Sequence, residues 1–448
     1  MLRTSRIACT DPRAEAKQTS DKGLGLFATS QVRPGDNIFA ITANFATVLH
    51  ADRINDTCSN CFACTDDDSR PDFKLILKAC TGCHVVKYCD RMEKGGEQIE
   101  RVTVSARALK DISNTDIELS TLVAYFAMLD TNAFTLTNQN FEPIGLCLLP
   151  FAAYINHSCE PNAYVGFDGQ VMFLKALQDI AADDEIFISY IDNTHPFKIR
   201  QSELQERYFF ECKCPKCQKG TTAREDQYLT PEGPFGSNPE NTVLKLLRTS
   251  KIPGETPEAL FERLDLAFTL LNNTGCWPIT RQPFPQLLDE LVVELVSAKC
   301  YKSAFLPAAI RYLLIDPVLY PSRIHPIRKR NTWALSKLLK CVSFPLDSDA
   351  SPPTPHLDQL LPGLSWIWYS LLYELVETYN DTLSRQLLIK TDFHGICSDM
   401  QLHGVDLQTA GGRRENKMAI NSALQNLRRM VDEALPKFLT GGKYLGFS

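Results

Sequence analysis

Asn156-His157-Ser158-Cys159-Glu160-Pro161-Asn162 places a carboxamide, an imidazole, a hydroxyl and a thiol in four consecutive positions. An apolar run from Ile144 to Ile155 enters the stretch, and a strand-like run from Tyr164 to Leu174 leaves it. Polar groups between two buried segments must find partners or stay wet. Alone, the stretch reads as a polar turn closed by Pro161 and Asn162. Three other places give it a chemical reading. Cys212-x-Cys214-x2-Cys217 offers three thiolates within six residues. That is one short of a tetrahedral zinc site, and Cys159 is the donor that would complete it. Asp183 to Tyr190 is an acidic turn followed by an alternating apolar strand ending in a tyrosine. Lys22-Gly23-Leu24-Gly25 sets two glycines around one leucine, where backbone can approach a ligand closely or simply turn a hairpin.

A second set of cysteines lies upstream: Cys58-x2-Cys61-x2-Cys64, Cys80-x2-Cys83 and Cys89. Paired CxxC units separated by a loop suit zinc, because each pair offers two thiolates from one turn. Cys58, Cys61, Cys80 and Cys83 satisfy the spacing rule for one four-thiolate site. Eleven of the 16 cysteines fall between Cys58 and Cys217, which assigns metal chemistry to the first half of the chain.

The elements that must position these groups follow from periodicity. The sequence predicts a strand over Asn37 to Ala43 after the Pro34-Gly35 turn, and a helix over Ile117 to Leu129 that leads into Asn132. Asn132 alone reads as a helix C-cap. Gly220 to Pro239 reads as a linker. Beyond it, helical spacing covers Leu260–Leu271, Phe284–Ala298, Tyr301–Leu314, Ile327–Leu339, Leu364–Leu388 and Met418–Leu439, with a proline-rich break from Pro345 to Pro362. Trp366, Trp368 and Tyr369 read as core. With 448 residues, two or three domains are expected. The formal charge of −6 argues against general nucleic-acid binding. No run is long and apolar enough to span a bilayer. Met1 to Asp21 does not read as a signal peptide, so the clustered cysteines point to a reducing compartment.

The motifs in this order resemble the SET-domain protein lysine methyltransferases, and among them the SET-and-MYND subfamily. Gly23-Leu24-Gly25 matches the first glycine motif, and Asn132-Ala133-Phe134 matches "NxF". Asn156-His157-Ser158-Cys159 with Pro161-Asn162 matches "NHSCxPN". Glu185-Ile186 followed by Tyr190 matches "GEEIxxxY", with Asp183 where glycine is usual. Cys212, Cys214 and Cys217 match the post-SET cysteines. The resemblance implies an α+β chain. A β-rich SET domain of small sheets with a pseudo-knot is interrupted by a cysteine-rich MYND-like insert and followed by an α-helical, TPR-like C-terminal domain. The implied boundaries are residues 1–57 for the first part of SET and 58–100 for the finger. The rest of SET, with its SET-I helices, follows at 101–208. The post-SET segment is 209–220, the linker 221–240 and the helical domain 241–448. The finger is incomplete. Cys58, Cys61, Cys80, Cys83 and Cys89 match the first five of its eight ligands, while the last two cysteines and the histidine are missing after Asp90. A cross-braced scheme keeps three thiolates in one site and two in the other, with Cys64 or His84 as candidates to repair one.

By the same resemblance, the activity is methyl transfer from S-adenosylmethionine to a lysine of a histone or another protein. The alternative is a weakly active or inactive SET-fold adaptor. Lys22, Gly23, Leu24 and Gly25 would bring backbone to the cofactor, and Asn132, Asn156 and His157 would hydrogen-bond it. Tyr190 would orient the amine and the methyl group, with Tyr208 and Phe210 lining the lysine channel and Tyr190 and Phe210 also reaching the cofactor. Cys159, Cys212, Cys214 and Cys217 would bind a structural zinc, because four thiolates leave no open position for chemistry. Protein partners would dock on the helical domain, with no membrane and no direct nucleic-acid contact, in nucleus and cytoplasm.

Overall fold

The computed structural model describes residues 12–19, 23–42, 78–79, 87–88, 96–113, 115–137, 143–168, 171–222, 239–248, 256–275, 277–343, 351, 357, 360, 363–378 and 384–439. Lys22, Cys58, Cys61, Cys64, Cys80, Cys83, His84 and Cys89 lie outside these. The chain divides into two units, Met1–Ala223 and Arg224–Ser448.

The first unit is built from small sheets. β1 (Ala14–Gln18) pairs antiparallel with β2 (Leu24–Ala28). β3 (Asn37–Thr42) forms the edge of a three-stranded antiparallel sheet. Its members β9 (Ala163–Asp168) and β10 (Val171–Ala176) divide the run expected as one strand, Tyr164 to Leu174. Asp168 pairs with Val171, so the chain reverses inside that run. Alternation is the same on both sides of a reversal, so periodicity alone cannot see it. β10 is the middle strand, and Met172, Phe173, Leu174 and Ala176 are all buried. Met172, Leu174 and Ala176 join Leu26, Ile38, Phe39, Ile41, Ile155 and Ile186 in one core.

Two two-residue strands, β4 (Lys78–Ala79) and β5 (Lys87–Tyr88), pair antiparallel within the insert. Helix α1 (Gly96–Ser113) packs on α2 (Leu119–Asn132), whose Leu122, Val123, Ala127 and Met128 are buried. β6 (Phe134–Thr137) and β7 (Pro143–Cys147) form a hairpin. After the two-residue strands β8 (Asn156–His157) and β11 (Phe187–Ile188), helix α3 (Phe197–Tyr208) buries Arg200 and Leu204. This helix carries little apolar periodicity, and the sequence reading passes over it. A short helix, α4 (Pro215–Gln218), follows the Cys214 position.

The second unit is helical. α5 (Pro239–Arg248) begins inside the expected linker. α6 (Pro257–Asn272), α7 (Phe284–Ser297), α8 (Tyr301–Ile310), α9 (Asp316–Leu319), α10 (Pro326–Ser343), α11 (Leu364–Thr378), α12 (Ser384–Leu402), α13 (Ala410–Glu415) and α14 (Lys417–Leu439) follow. The helix expected from Leu364 to Leu388 falls on α11 up to Thr378 and on α12 from Ser384, with residues 379–383 outside the described ones. The helix expected from Tyr301 to Leu314 gives way at Arg311–Ile315 to a π-helical turn, downstream of Pro307. Phe268 meets Phe284 and Phe438 edge-on in the core, each at 5.6 Å. Trp368 and Tyr369 are buried there and Trp366 packs against it, as expected of core residues.

Candidate active site

Three segments far apart in sequence lie side by side. β8 pairs parallel with β11, Asn156 opposite Phe187 and His157 opposite Ile188. On its other side the acidic segment bonds to β2. Ile186 N–H donates to Leu26 O at 2.7 Å, and Ala28 N–H to Asp184 O at 2.9 Å. The Asn162 carboxamide clamps the crossing, donating to Glu185 O at 2.9 Å and accepting from Phe187 N–H at 2.7 Å. The glycine motif, the Asn-His pair and the strand leading to Tyr190 are thus one construction.

Gly23 has φ +76°, a conformation that favours glycine. Gly25 is required for space. A Cβ there would meet Glu185 Oε1 at 2.6 Å, Thr19 Cγ2 at 2.9 Å and Asn156 Nδ2 at 3.1 Å. Asn156 Nδ2 donates to Leu24 O at 3.2 Å and to Glu185 Oε1 at 2.7 Å. Among the described residues nothing donates to Asn156 Oδ1, which is half-buried and fit to receive an ammonium group. Asn132 closes α2 from within, donating to Met128 O at 3.2 Å and Thr131 Oγ1 at 2.8 Å. The helix C-cap itself is Ala133.

Four rings converge beside this construction. Tyr190 stands 4.9 Å from Tyr208 and 6.4 Å from Phe210 between centroids, the latter nearly perpendicular. His157 lies 5.2 Å from Tyr190 and 5.8 Å from Phe210. Phe209 makes this possible. It takes a left-handed conformation, φ 63°, at the end of α3, between Tyr208 and Phe210. The Tyr190 hydroxyl donates to Ile155 O, and the Tyr208 hydroxyl to Tyr190 O at 3.3 Å. Burial pushes both phenols above their usual range, so both keep their protons at neutral pH.

His157 is turned toward the fold. Tyr190 N–H donates to its Nδ1 at 3.0 Å, and its Nε2 lies 3.3 Å from Cys159 Sγ.

Cys159, Cys212, Cys214 and Cys217 place their sulfurs within 4.8 Å of one another, three of them buried. Zinc–sulfur bonds of about 2.3 Å put the sulfurs of a tetrahedron about 3.8 Å apart. Cys159 and Cys217 are 3.5 Å apart. The donor set and spacing fit a four-thiolate zinc. Hydrogen bonds from Cys159, then Cys212, with Arg200 alongside, lower Cys217 to about 7. Cys214 is driven below the usual thiol range by its bonds to the other three, Cys159 first. Arg200 is fully buried and points Nη2 at Cys217 Sγ, 3.8 Å away. A buried cation there offsets the net negative charge of zinc with four thiolates.

Sequence reasoning gives no role to Arg200, to the Glu185 carboxylate or to the Asn162 clamp. Asn162 and Glu185 stood within matched motifs, and that was their only signal.

A family model described as "SET domain" matches residues 23–191. "SET domain and MYND-type zinc finger protein 6" of Schizosaccharomyces pombe is 30% identical over 239 residues, 52% of this chain and 44% of that protein. "N-lysine methyltransferase SMYD2" of Mus musculus is 26% identical over 304 residues, 52% of this chain and 67% of that protein. The match thus spans less than half the length of the yeast relative. A solved structure, "Crystal structure of the SET domain of LSMT bound to Lysine and AdoHcy", aligns over 94% of this chain and 95% of that one at 14% identity with a TM-score of 0.29. The chain thus carries a SET domain over residues 23–191 and is similar in sequence to these relatives.

Proposed function

We propose that this chain is a protein-lysine N-methyltransferase using S-adenosylmethionine, with a lysine of a histone or another protein as acceptor. The observation that carries the reading is the convergence of Tyr190, Tyr208 and Phe210 beside the construction that holds Gly25 and Asn156. Relatives named as N-lysine methyltransferases support it.

S-adenosylmethionine supplies an electrophilic methyl group on a sulfonium. The chain's task is to hold an amine in line with it, which is mainly positioning. Asn156 Oδ1 would accept from the amino-acid end of the cofactor, and Gly23, Leu24 and Gly25 would supply backbone. A lysine amine, with a free pKa of about 10.4, must arrive neutral. The apolar faces of Tyr208 and Phe210 disfavour an ammonium by desolvation, and a sulfonium nearby adds repulsion. The Tyr190 hydroxyl stays protonated and orients the amine rather than taking its proton. Cys159, Cys212, Cys214 and Cys217 would hold zinc, which supports folding. Tyr190→Phe is expected to lower transfer of labelled methyl to a whole-cell protein extract about 100-fold or more, with cofactor binding retained. Normal turnover would sink the role given to Tyr190.

The acceptor lysine carries the substrate side of the proposal, and the helical unit is the surface offered to protein partners. Among the described residues no helix is long and apolar enough to cross a membrane. A nuclear and cytoplasmic distribution belongs to the same reading, and imaging of the tagged chain tests it.

A further inference from the structure

We propose that Glu185 is a positioning residue that fixes which end of the Asn156 carboxamide faces the ligand, and so gives the site its preference for a ligand carrying an ammonium group. This role rests on the reading of the site as that of S-adenosylmethionine, but its test involves no methyl transfer.

A carboxamide presents an acceptor at one end and two donors at the other, and turning it over exchanges them. At Asn156 the donor end is engaged twice, to Glu185 Oε1 at 2.7 Å and to Leu24 O at 3.2 Å. A carboxylate and a backbone carbonyl both accept only. Turning the carboxamide over would set Oδ1 against two such oxygens. The orientation is therefore imposed, and an acceptor is what the half-buried side chain has left to offer. The shorter of the two bonds goes to the carboxylate, and bonds to charged groups are the stronger class. Glu185 is thus the larger of the two restraints. The carboxylate is itself held in place. Its residue bridges antiparallel to Phe27, and its carbonyl accepts from the Asn162 carboxamide at 2.9 Å. The next residue, Ile186, donates to Leu26 O at 2.7 Å. From there the side chain reaches over Gly25, where a Cβ would come within 2.6 Å of Oε1. The bare glycine leaves the space in which Glu185 meets Asn156, 29 residues away in sequence. An ammonium group has three donors and no acceptor, so it suits Oδ1 and would be refused by the other end of the carboxamide. The α-ammonium of S-adenosylmethionine is such a group.

Glu185→Ala and Glu185→Gln test the role in the full chain. Each is titrated calorimetrically with S-adenosylhomocysteine and with its analogue lacking the α-amino group. The ratio of the two affinities isolates the ammonium contact, because the ligands are otherwise the same. The wild type is expected to prefer the amino ligand about 30-fold. Glu185→Ala is expected to cut that preference to about threefold, with affinity for the des-amino analogue within about twofold of the wild type's. Glu185→Gln keeps an acceptor for Asn156 and is expected to retain a preference of about tenfold or more. A merely structural role would weaken both ligands together and leave the ratio alone. That outcome would overturn the proposal, as would a Glu185→Gln ratio as low as that of Glu185→Ala. If Glu185→Ala does not fold, the side-chain amide of Asn156 in the ligand-free wild type decides. Protection of its Nδ2 protons from exchange with water supports the role, and free exchange overturns it. Binding of neither ligand by the wild type would sink the cofactor reading together with this role, whereas binding of both with an unmoved ratio would sink the role alone.

Discussion

At position 25 only a hydrogen fits, because a methyl group would sit against the carboxylate and carboxamide that hold the site together. Gly25→Ala is expected to push Glu185 away from Asn156 and weaken binding of S-adenosylhomocysteine about tenfold, a loss of about 1.4 kcal/mol. Calorimetric titration measures it, and unchanged affinity would remove Gly25 and Asn156 from the cofactor site. The glycines, Asn156 and Tyr190 are legible in the sequence because their types and spacing are unusual. Glu185 and Arg200 are not, since each earns its place from a partner that folding supplies. Glu185 is 29 residues from Asn156, and Arg200 is 17 from Cys217. A lone arginine in a helix reads as a solvated charge. Nothing local says that its tip will lie against a cysteine of a four-sulfur cluster.

Elements make demands on backbone that side-chain patterns do not announce. Asp183, where the family pattern has glycine, takes φ 67° in the turn that enters the acidic strand. Aspartate tolerates that conformation better than most residues, and Lys17 holds its exposed carboxylate. A β-branched residue does not tolerate it. Asp183→Val is expected to destabilise the first unit by about 1–2 kcal/mol, with Asp183→Gly close to neutral, as read by urea unfolding. Equal stability of the two variants would show that the turn is not strained. In the helical unit, the π-helical turn at Arg311–Ile315 brings Arg311 between Asp289, at 2.9 Å, and the fully buried Asp316, at 3.5 Å. Burial pushes Asp316 up to about 6 from the usual 3.8, against the pull of Arg311 and of Asn331. The folded state therefore binds a proton that the unfolded chain has already released between pH 3.8 and about 6. This group's contribution to stability falls as pH rises through that window. Asp316→Asn is expected to flatten the fall, and a slope equal to the wild type's would exclude Asp316 as its source. Helical periodicity runs straight through this turn, because a π turn changes the hydrogen-bond partner without changing which residues are apolar.

The molecule is two units, each with its own buried core. The four clustered cysteines belong to the first. Zinc removal is therefore expected to lower the unfolding temperature of that unit and leave the melt of the helical unit in place. Cys214→Ser is expected to lose one zinc per chain. Calorimetry and metal analysis check the pair, and an unshifted first transition with unchanged zinc would rule out the four-cysteine site. The sequence alone determined the class of chemistry, because a thiolate set, a glycine pair and an Asn-His-Ser-Cys run are chemical statements before they are structural ones. It also marked where the helical half begins to differ from the first, since a change of hydrophobic period needs no coordinates. Only the tertiary structure decided what the side chains do. The chain crossing sets Asn156 against Glu185 and His157 against Tyr190, contacts that depend on register across segments far apart in sequence. Local pattern encodes which face of an element is buried, but not which distant element will cover it. A residue such as His157 is picked out by its motif, but that its imidazole accepts from the Tyr190 backbone was settled by folding, not by spacing.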